Sequence, residues 1–352
     1  MYIHLKRYLY SPPHLWIVAF MVTLKKIMSR IIKGCYRTAI FALTTRCNCR
    51  CQMCNMHKMK PETISFGDAK KVLRFLSENR FLIAYFTGGE PTLHPQIVEI
   101  VKFADSQGLI TSVTTNGNTS KATIKALKEA GLHVLSVSLD HWNSEVCATL
   151  RGREGIMAMQ EDIISYAKEI GLNTYALATL NEHLVRDGVD RLIQHVTQDL
   201  GVPFGFCYPT VTDVNTYRLN GGLQGSGMEK QLETNLETIL TNKRKGYAVM
   251  NPGLYIEDTL RVTREKTPNF YCKAGEVVVY IDWRGDVYPC FMKEKLFNIL
   301  NDEEPCFLKN VNCNECLINC FREPSLLPQL IKSPRLFVKE FSYSYQNRSM
   351  FM

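Results

Sequence analysis

Three cysteines stand within eight residues, Cys47, Cys51 and Cys54, in the spacing C-x3-C-x2-C. Thiolates are the usual protein ligands of iron–sulfur clusters. Three of them on one short loop can reach a single cube of iron and sulfur, but they leave its fourth iron without a protein ligand. Such an iron is a coordination site for a small molecule. The competing chemistry is zinc, which usually takes C-x2-C pairs and four ligands. Cys49 would complete C-x-C-x-C-x2-C, a cramped tetrahedron, and is read as a spare thiol.

A second element, Thr87-Gly-Gly-Glu-Pro91, follows about forty residues after the loop begins. Gly88 and Gly89 lack side chains and let backbone approach a ligand closely. Glu90 offers a carboxylate, and Pro91 fixes the turn and removes a donor. Together the two elements resemble the radical S-adenosylmethionine (SAM) superfamily over about residues 37–210.

That resemblance implies a [4Fe–4S] cluster on Cys47, Cys51 and Cys54, with the amino and carboxylate groups of SAM on the open iron. It implies reductive cleavage of SAM to methionine and a 5′-deoxyadenosyl radical, which takes hydrogen from an unactivated carbon or adds to a double bond. Gly88, Gly89, Glu90 and Pro91 would border the methionine part of SAM. Thr115 and Asn116 end one strand, and Ser136 and Ser138 lie on the next. These are the residues expected at the ribose and methionine groups. Arg153 would pair with the SAM carboxylate. Met53 stands where the superfamily usually places an aromatic residue beside adenine, and thioether sulfur tolerates an aromatic neighbour. A flavodoxin- or ferredoxin-type electron donor is the expected partner.

A second cysteine set lies near the end. Cys272-x12-Gly285-x4-Cys290 is followed by Cys313, Cys316 and Cys320. Strands over 277–282 and 286–288, turning at Trp283-Arg-Gly285, would bring Cys272 and Cys290 together. This pattern resembles the SPASM and twitch modules that follow many radical SAM barrels, and implies one auxiliary cluster. Five thiols compete for four positions, Cys306 is a remote sixth, and zinc is the alternative metal. The closing Cys316-Leu-Ile-Asn-Cys320-Phe-Arg-Glu-Pro324 resembles the end of the hopanoid adenosyl-transferring radical SAM enzymes, which act on a polycyclic lipid.

The elements that must position these residues alternate between apolar runs and helical periodicity. Strands are expected over 38–44, 81–86, 110–114, 134–139, 174–180 and 204–207, and helices over 68–77, 97–106, 121–130, 156–170 and 189–197. Six β/α units imply parallel strands with right-handed crossovers. The fold class is α/β. The family resemblance makes it a partial (βα)6 TIM-like barrel, open on one side, with a small C-terminal Cys-rich iron–sulfur module. The expected division is a basic amphipathic segment at 1–36, the barrel at 37–255, the auxiliary module at 256–325 and a basic aromatic tail at 326–352. Residues 220–227 read as a flexible linker or a lid before a helix over 228–242.

The net charge is +8, and its placement matters more than its size. Eleven Lys or Arg and no Asp or Glu precede Glu62; removing those eleven from 42 leaves 31 basic against 34 acidic residues. The body is therefore not a basic nucleic-acid binder. The apolar run 15–24 is too short to span a bilayer. Beside clustered Lys and Arg it suits a helix lying in the membrane interface, or else a cap on the barrel. Thirteen cysteines in clusters, with no export signal after that run, favour metal over disulfides and a reducing, cytoplasmic setting, peripheral on the membrane. The preferred substrate class is a membrane-associated lipid or isoprenoid. The rivals are peptide or protein maturation and a zinc-binding adaptor without enzymatic activity. The histidines form no paired motif. His57 lies nearest the cysteine loop, and Cys147 and Cys207 are candidate hydrogen-atom donors or ordinary buried thiols.

Overall fold

The structure, a computed structural model, describes residues 29–345 except 32, 222, 224–226 and 302. The apolar run at 15–24 and most of the basic segment lie outside the described residues. From Arg37 onward strand and helix alternate: β1 (Arg37–Ala42), α1 (Phe66–Glu78), β2 (Phe81–Thr87), α2 (Ile97–Ser106), β3 (Ile110–Thr115), α3 (Lys121–Glu129) and β4 (Val134–Ser138). Then follow α4 (Ser144–Arg151), α5 (Ile156–Glu169), β5 (Thr174–Thr179), α6 (Glu182–Asp187), α7 (Asp190–Gln194) and β6 (Phe204–Cys207). Strands β1 to β6 lie side by side in chain order, all parallel.

The helices form where the sequence supplies an apolar stripe and a capping side chain. In α1, Ala69, Val72, Leu73 and Leu76 recur at helical spacing and are buried, and Ser65 accepts from the Asp68 N–H. Ser120 caps α3 and Asn143 caps α4 in the same way. The helix expected over 189–197 is instead α7 followed by a π-helical turn, His195–Asp199. Its apolar residues Leu192, Ile193 and Val196 are buried as the periodicity requires. The periodicity marked the buried face and not the hydrogen-bond register. A separate short helix, α6, precedes it and ends at Gly188, whose φ of 88° breaks the run.

The C-terminal part does not form a separate layer. Three short strands follow α8 (Glu229–Arg244) and α9 (Gly253–Glu265), but a two-stranded ribbon, β7 (Val211–Thr212) and β8 (Leu219–Asn220), comes before them. The later strands are β9 (Val278–Ile281), β10 (Asp286–Tyr288) and β11 (Phe297–Asn298). The expected hairpin is β9–β10, antiparallel, with Val287 opposite Ile281. Its first strand also pairs in parallel with β1, Thr38 opposite Val278, so barrel and hairpin share one sheet of nine strands.

The expected boundaries at 255/256 and 325/326 both fall inside helices, α9 and α10 (Asn319–Lys332). Proline lacks the donor that continues a helical ladder, yet Pro324 does not end one. It sits within α10, as does Pro328. The last described helix is α11 (Pro334–Tyr345).

Helix α10 positions the site. Phe321 packs edge-on against Phe291, centroids 4.8 Å apart, and the Ser325 hydroxyl accepts from the Lys273 N–H at 2.8 Å. On its other side Glu323 meets Asn251, whose side-chain amide pairs with both the N–H and the C=O of Phe206 on the outer edge of β6. The helix therefore bridges β9 and β6, across the side that six strands leave unjoined.

Arg322 anchors this bridge. It is fully buried, donates to the fully buried Asp258, to Phe270 O at 2.9 Å and to Cys316 O at 3.5 Å, and lies over the Phe270 ring. Removing one partner of a buried pair leaves an uncompensated charge. Arg322→Met is expected to lower unfolding stability by about 3–5 kcal/mol, read as a drop in the urea midpoint, while Asp258→Asn in the same background recovers part of the loss.

Candidate cluster and SAM site

The cysteine loop leaves the end of β1, where Thr45 N–H donates to Glu62 O at 2.9 Å and Ile64 N–H to Leu43 O at 3.0 Å. Glu62 is held in turn by Arg284 and by the Trp283 indole at 2.9 Å, both in the β9–β10 turn. Those bonds keep its carboxyl low, at about 2.

The Gly-Gly turn at the end of β2 lies directly against the loop. Gly89 N–H donates to Thr44 O at 2.7 Å and Glu90 N–H to Arg46 O at 2.7 Å. A Cβ at Gly89 would stand 2.5 Å from Thr45 O, and Gly88, at φ 134°, faces the Thr44 backbone as closely. The glycines were expected to admit SAM; the structure shows that they first admit the cysteine loop.

Glu90 is likewise engaged by the protein itself. It is fully covered, and its Oε1 accepts from Thr92 N–H at 3.1 Å, the Thr92 hydroxyl at 2.6 Å and the Thr115 hydroxyl at 2.9 Å. Its Oε2 accepts from Asn116 N–H at 2.7 Å. Four donors on one carboxylate make it a brace between the ends of β2 and β3. Burial pushes its pKa up against those bonds.

Asn116 reaches from that brace into the loop, with Nδ2 2.8 Å from Asn48 Oδ1 and 3.7 Å from Cys47 Sγ. From the β4 side comes Arg151, at the end of α4. Its Nε donates to Asp140 Oδ2 at 2.5 Å and its Nη1 lies 3.7 Å from Cys51 Sγ. Burial opposes its charge, but Asp140 and Cys51 hold it on. Arg153, the arginine expected at the site, makes no such contact; its Nε is buried with no hydrogen-bond partner among the described residues. Arg151 was missed because α4 was not expected.

The loop's remaining cover is the β7–β8 ribbon. Asn55 N–H donates to Arg218 O at 3.0 Å, and Asn220 N–H to Met53 O at 2.8 Å. Between them Tyr217 stacks on Phe291, centroids 4.2 Å apart, with its hydroxyl 3.1 Å from Thr87. The expected linker or lid therefore begins as a strand laid on the cysteine loop. Met53 is nearly buried beneath it, Ser136 is fully buried and Ser138 nearly so. Pro91 opens a short 3₁₀ turn. His57 lies in the turn Met56–Lys58 just past Cys54. Cys147 donates to His141 O at 3.1 Å in the core.

The thiols themselves suit a metal cluster. Burial pushes Cys47 up to about 11, Cys54 to about 12 and Cys49 to about 12. Desolvation disfavours the thiolate, and a bound cation reverses that preference. Among the described residues no three His, Cys, Asp or Glu side chains close on one point as a single ion would require. A cube carries its thiolates on separate corners.

At the C-terminal set, Cys272 and Cys313 pair backbone to backbone, with Cys272 N–H donating to Cys313 O at 2.8 Å. Cys290 rises to about 12, by burial and then by the charges of Cys316, Cys272 and Cys313. Those four thiols share one neighbourhood. Cys320 is different: burial raises it first, then Cys207 and Glu323, with Cys316 further down. Cys306 is exposed.

Inside the strands, Tyr85, Tyr175, Cys207, Tyr217, Cys320 and Glu323 lie deep in the molecule yet keep part of their surface uncovered. Uncovered surface at that depth faces space inside the molecule, and because Tyr217 feels the charges of both Cys54 and Cys320 that space lies between the two cysteine sets. A solvent-facing cavity of about 500 Å³ between α8 and α9 holds none of the cysteines.

Comparison with known proteins agrees with this geometry. Residues 41–194 match the radical SAM superfamily. The chain is 32% identical over 160 residues, 42% of its length, to a probable GTP 3′,8-cyclase of Thermococcus kodakarensis, and covers 50% of that protein. It is 28% identical over 270 residues, 75% of its length, to the antilisterial bacteriocin subtilosin biosynthesis protein AlbA of Bacillus subtilis, covering 56% of it. The chain thus spans about half the length of these curated relatives.

Among solved structures, Streptococcus suis SuiB bound to S-adenosylmethionine superposes with a TM-score of 0.61 at 16% identity, over 76% of this chain and 64% of that one. The protein anSMEcpe with bound AdoMet gives 0.58 at 18%, over 75% and 77%. These two show the fold. Residues 41–194 therefore carry a radical SAM domain, and enzymes of that superfamily bind a [4Fe–4S] cluster and SAM. The finer likeness to the hopanoid enzymes has no counterpart among these relatives.

Because the Gly-Gly turn and the loop touch through backbone, even a methyl group at Gly89 must displace the loop. Gly89→Ala is expected to destabilise by about 1–3 kcal/mol and to lower the iron retained after anaerobic reconstitution, not merely SAM affinity. Full iron with normal stability would show that the contact is dispensable.

Proposed function

We propose that this chain binds a [4Fe–4S] cluster on Cys47, Cys51 and Cys54 and uses SAM to modify an unactivated carbon of a substrate held inside the barrel. The observation that carries the reading is the buried loop with Arg151 and Asn116 aimed at its sulfurs. When bound, the cluster and SAM supply a one-electron reductive cleavage that yields a 5′-deoxyadenosyl radical. The chain's own residues orient and enclose that chemistry. Asn116 and Arg151 donate to the thiolates, Met53 and the β7–β8 ribbon cover the adenine side, and Thr115, Ser136 and Ser138 line the strand ends. Arg153 offers its unpaired Nε to a carboxylate. Glu90, braced by four donors, holds the floor.

The auxiliary cluster takes Cys272, Cys290, Cys313 and Cys316, whose thiols share one neighbourhood, and leaves Cys320 to the interior. An electron donor of flavodoxin or ferredoxin type supplies the reductant. For the substrate, the sequence supports a membrane-associated lipid through its eleven basic residues before Glu62. Among the described residues no helix is long and apolar enough to cross a membrane. Peptide maturation is the second reading, supported by the bacteriocin-biosynthesis relative and by SuiB, solved with a precursor peptide.

The test is anaerobic incubation with dithionite and SAM. The wild-type protein should release 5′-deoxyadenosine, with a higher yield when lipid extract contains the substrate, and Cys51→Ala should release none. Normal yield from Cys51→Ala sinks the assignment. The auxiliary set has its own reading: Cys316→Ser should lose about four irons and Cys320→Ser none, as a cubane on four other thiols requires.

A further inference from the structure

The barrel interior holds a carboxylate that neither cysteine set uses. Glu323 stands on α10, the helix that bridges the open side. Asn319 and Cys320 share its face, since residues three and four apart are helical neighbours. One oxygen, Oε1, accepts from Asn251 Nδ2 at 2.5 Å. Asn251 cannot move to satisfy the other, because its amide is fixed at both ends by Phe206 on β6, at 2.8 and 3.0 Å. Among the described residues Oε2 has no hydrogen-bond partner. The residue is partly uncovered although it lies deep in the fold, so that oxygen borders the internal space.

The same space is edged by Cys207 at the end of β6 and by Tyr175 on β5, both of which feel the Glu323 charge. Cys207 also senses Asn319, and Tyr217, beside the cysteine loop, senses both Cys54 and Cys320. Glu323 therefore lies along the interior that runs from the cluster loop to the auxiliary thiols. A substrate in reach of SAM occupies that interior.

We infer that Glu323 is the specificity-determining residue of the substrate site and that it receives a cationic amine on the substrate. A carboxylate with one oxygen locked and one free accepts N–H donors and rejects anions. The tyrosine hydroxyls that feel its charge are already engaged: Tyr255 donates to Leu317 O at 2.8 Å, and Tyr175 pairs with Tyr85. The nearby cation feels its charge but makes no bond to it. Lys243 is buried and donates to Val249 O at 2.8 Å, with no bond to Glu323. Glu340, on α11, is engaged by the N–H groups of Gly253 and Leu254 at the start of α9.

The groups around the carboxylate set its response to pH. Burial pushes Glu323 up to about 8, against the Asn251 bond and the Lys243 charge and with the Glu340 charge. Cys207, Cys320, Tyr175 and Tyr255 also face it, and burial raises all four, so they stay neutral below that range. A cationic ligand favours the ionised carboxyl. Below about pH 8 its binding must expel the Glu323 proton, so affinity rises with pH and levels off above the free-state value.

This inference rests on the proposed function for its substrate but is tested without one. The probe is n-butylammonium, titrated calorimetrically into the reconstituted full-length protein from about pH 6 to pH 9 in two buffers of different ionisation enthalpy. The expected result is binding that tightens roughly tenfold per pH unit until it levels off near pH 8, with about one proton released. n-Butanol and butyrate should bind at least tenfold more weakly. Glu323→Gln should abolish the pH slope and the proton release.

Equal binding of butanol, an unchanged slope in Glu323→Gln, or no binding of butylammonium to the wild-type protein would each overturn the inference. Should Glu323→Gln fail to fold, the wild-type slope decides: affinity flat across the range rejects it. 5′-Deoxyadenosine release in the same preparation reads the radical SAM assignment separately.

Discussion

The contact on which the site depends is between two pieces of backbone. The chain leaving β1 and the turn leaving β2 come together with no side chain between them, joined by the N–H groups of Gly89 and Glu90 on the carbonyls of Thr44 and Arg46. Parallel neighbours end at the same edge of the sheet, so loops from consecutive strands are forced side by side there. What is particular to this chain is how tightly they close. Gly88 and Gly89 remove the steric obstacle, and Glu90 turns back to tie the end of β3 through Thr115 and Asn116. Asn116 then carries the tie into the cysteine loop through Asn48. Three strand ends and one loop thus form a single hydrogen-bonded unit, and the positions of Cys47, Cys51 and Cys54 follow from it.

Charge sets the second constraint. Three thiolates in a desolvated pocket repel one another and resist ionisation, as the raised Cys47 and Cys54 show. Arg151 is the cation placed against them. Its own burial is made tolerable by Asp140, which also accepts from the Thr179 N–H at 2.9 Å and so is fixed to β5. An arginine paired to one rigid carboxylate keeps a fixed fork geometry. The remaining donors are therefore held on the Cys51 side and are not free to follow solvent.

Much of this was legible in the sequence, and the failures have physical causes. The cysteine spacing, the Gly-Gly-Glu-Pro turn and the six apolar runs marked the barrel because each depends on local pattern: fixed spacing, glycine at a close approach, or buried strands. The roles assigned to Gly89 and Glu90 were different in kind, since their partners are loop backbone and a neighbouring strand end, contacts far apart in sequence. Arg151 was passed over for Arg153 because only the end of α4 brings its guanidinium to the Cys51 sulfur. At Pro324 tertiary contacts override the local preference. Proline usually ends a helix, but here the fold keeps it inside α10 because Phe321, Arg322 and Ser325 around it are buried by tertiary contacts.

Helix α10 also changes how the open barrel is understood. Six parallel strands leave one side unclosed, and a wall there must bury its own polar groups. Arg322 and Asp258 neutralise each other at the back of the helix, while Asn319, Cys320 and Glu323 face the interior. Because α10 begins at the last cysteines, a shift of the auxiliary loop moves the wall with it: Cys316 is bonded through its carbonyl to Arg322, and Cys272 through its sulfur to Ser325. The auxiliary thiols and the interior face of the barrel are thus coupled through one helix. A metal bound at those thiols would stiffen the surface a substrate meets, quite apart from any electron it carries, because the ligands and the wall share the same backbone.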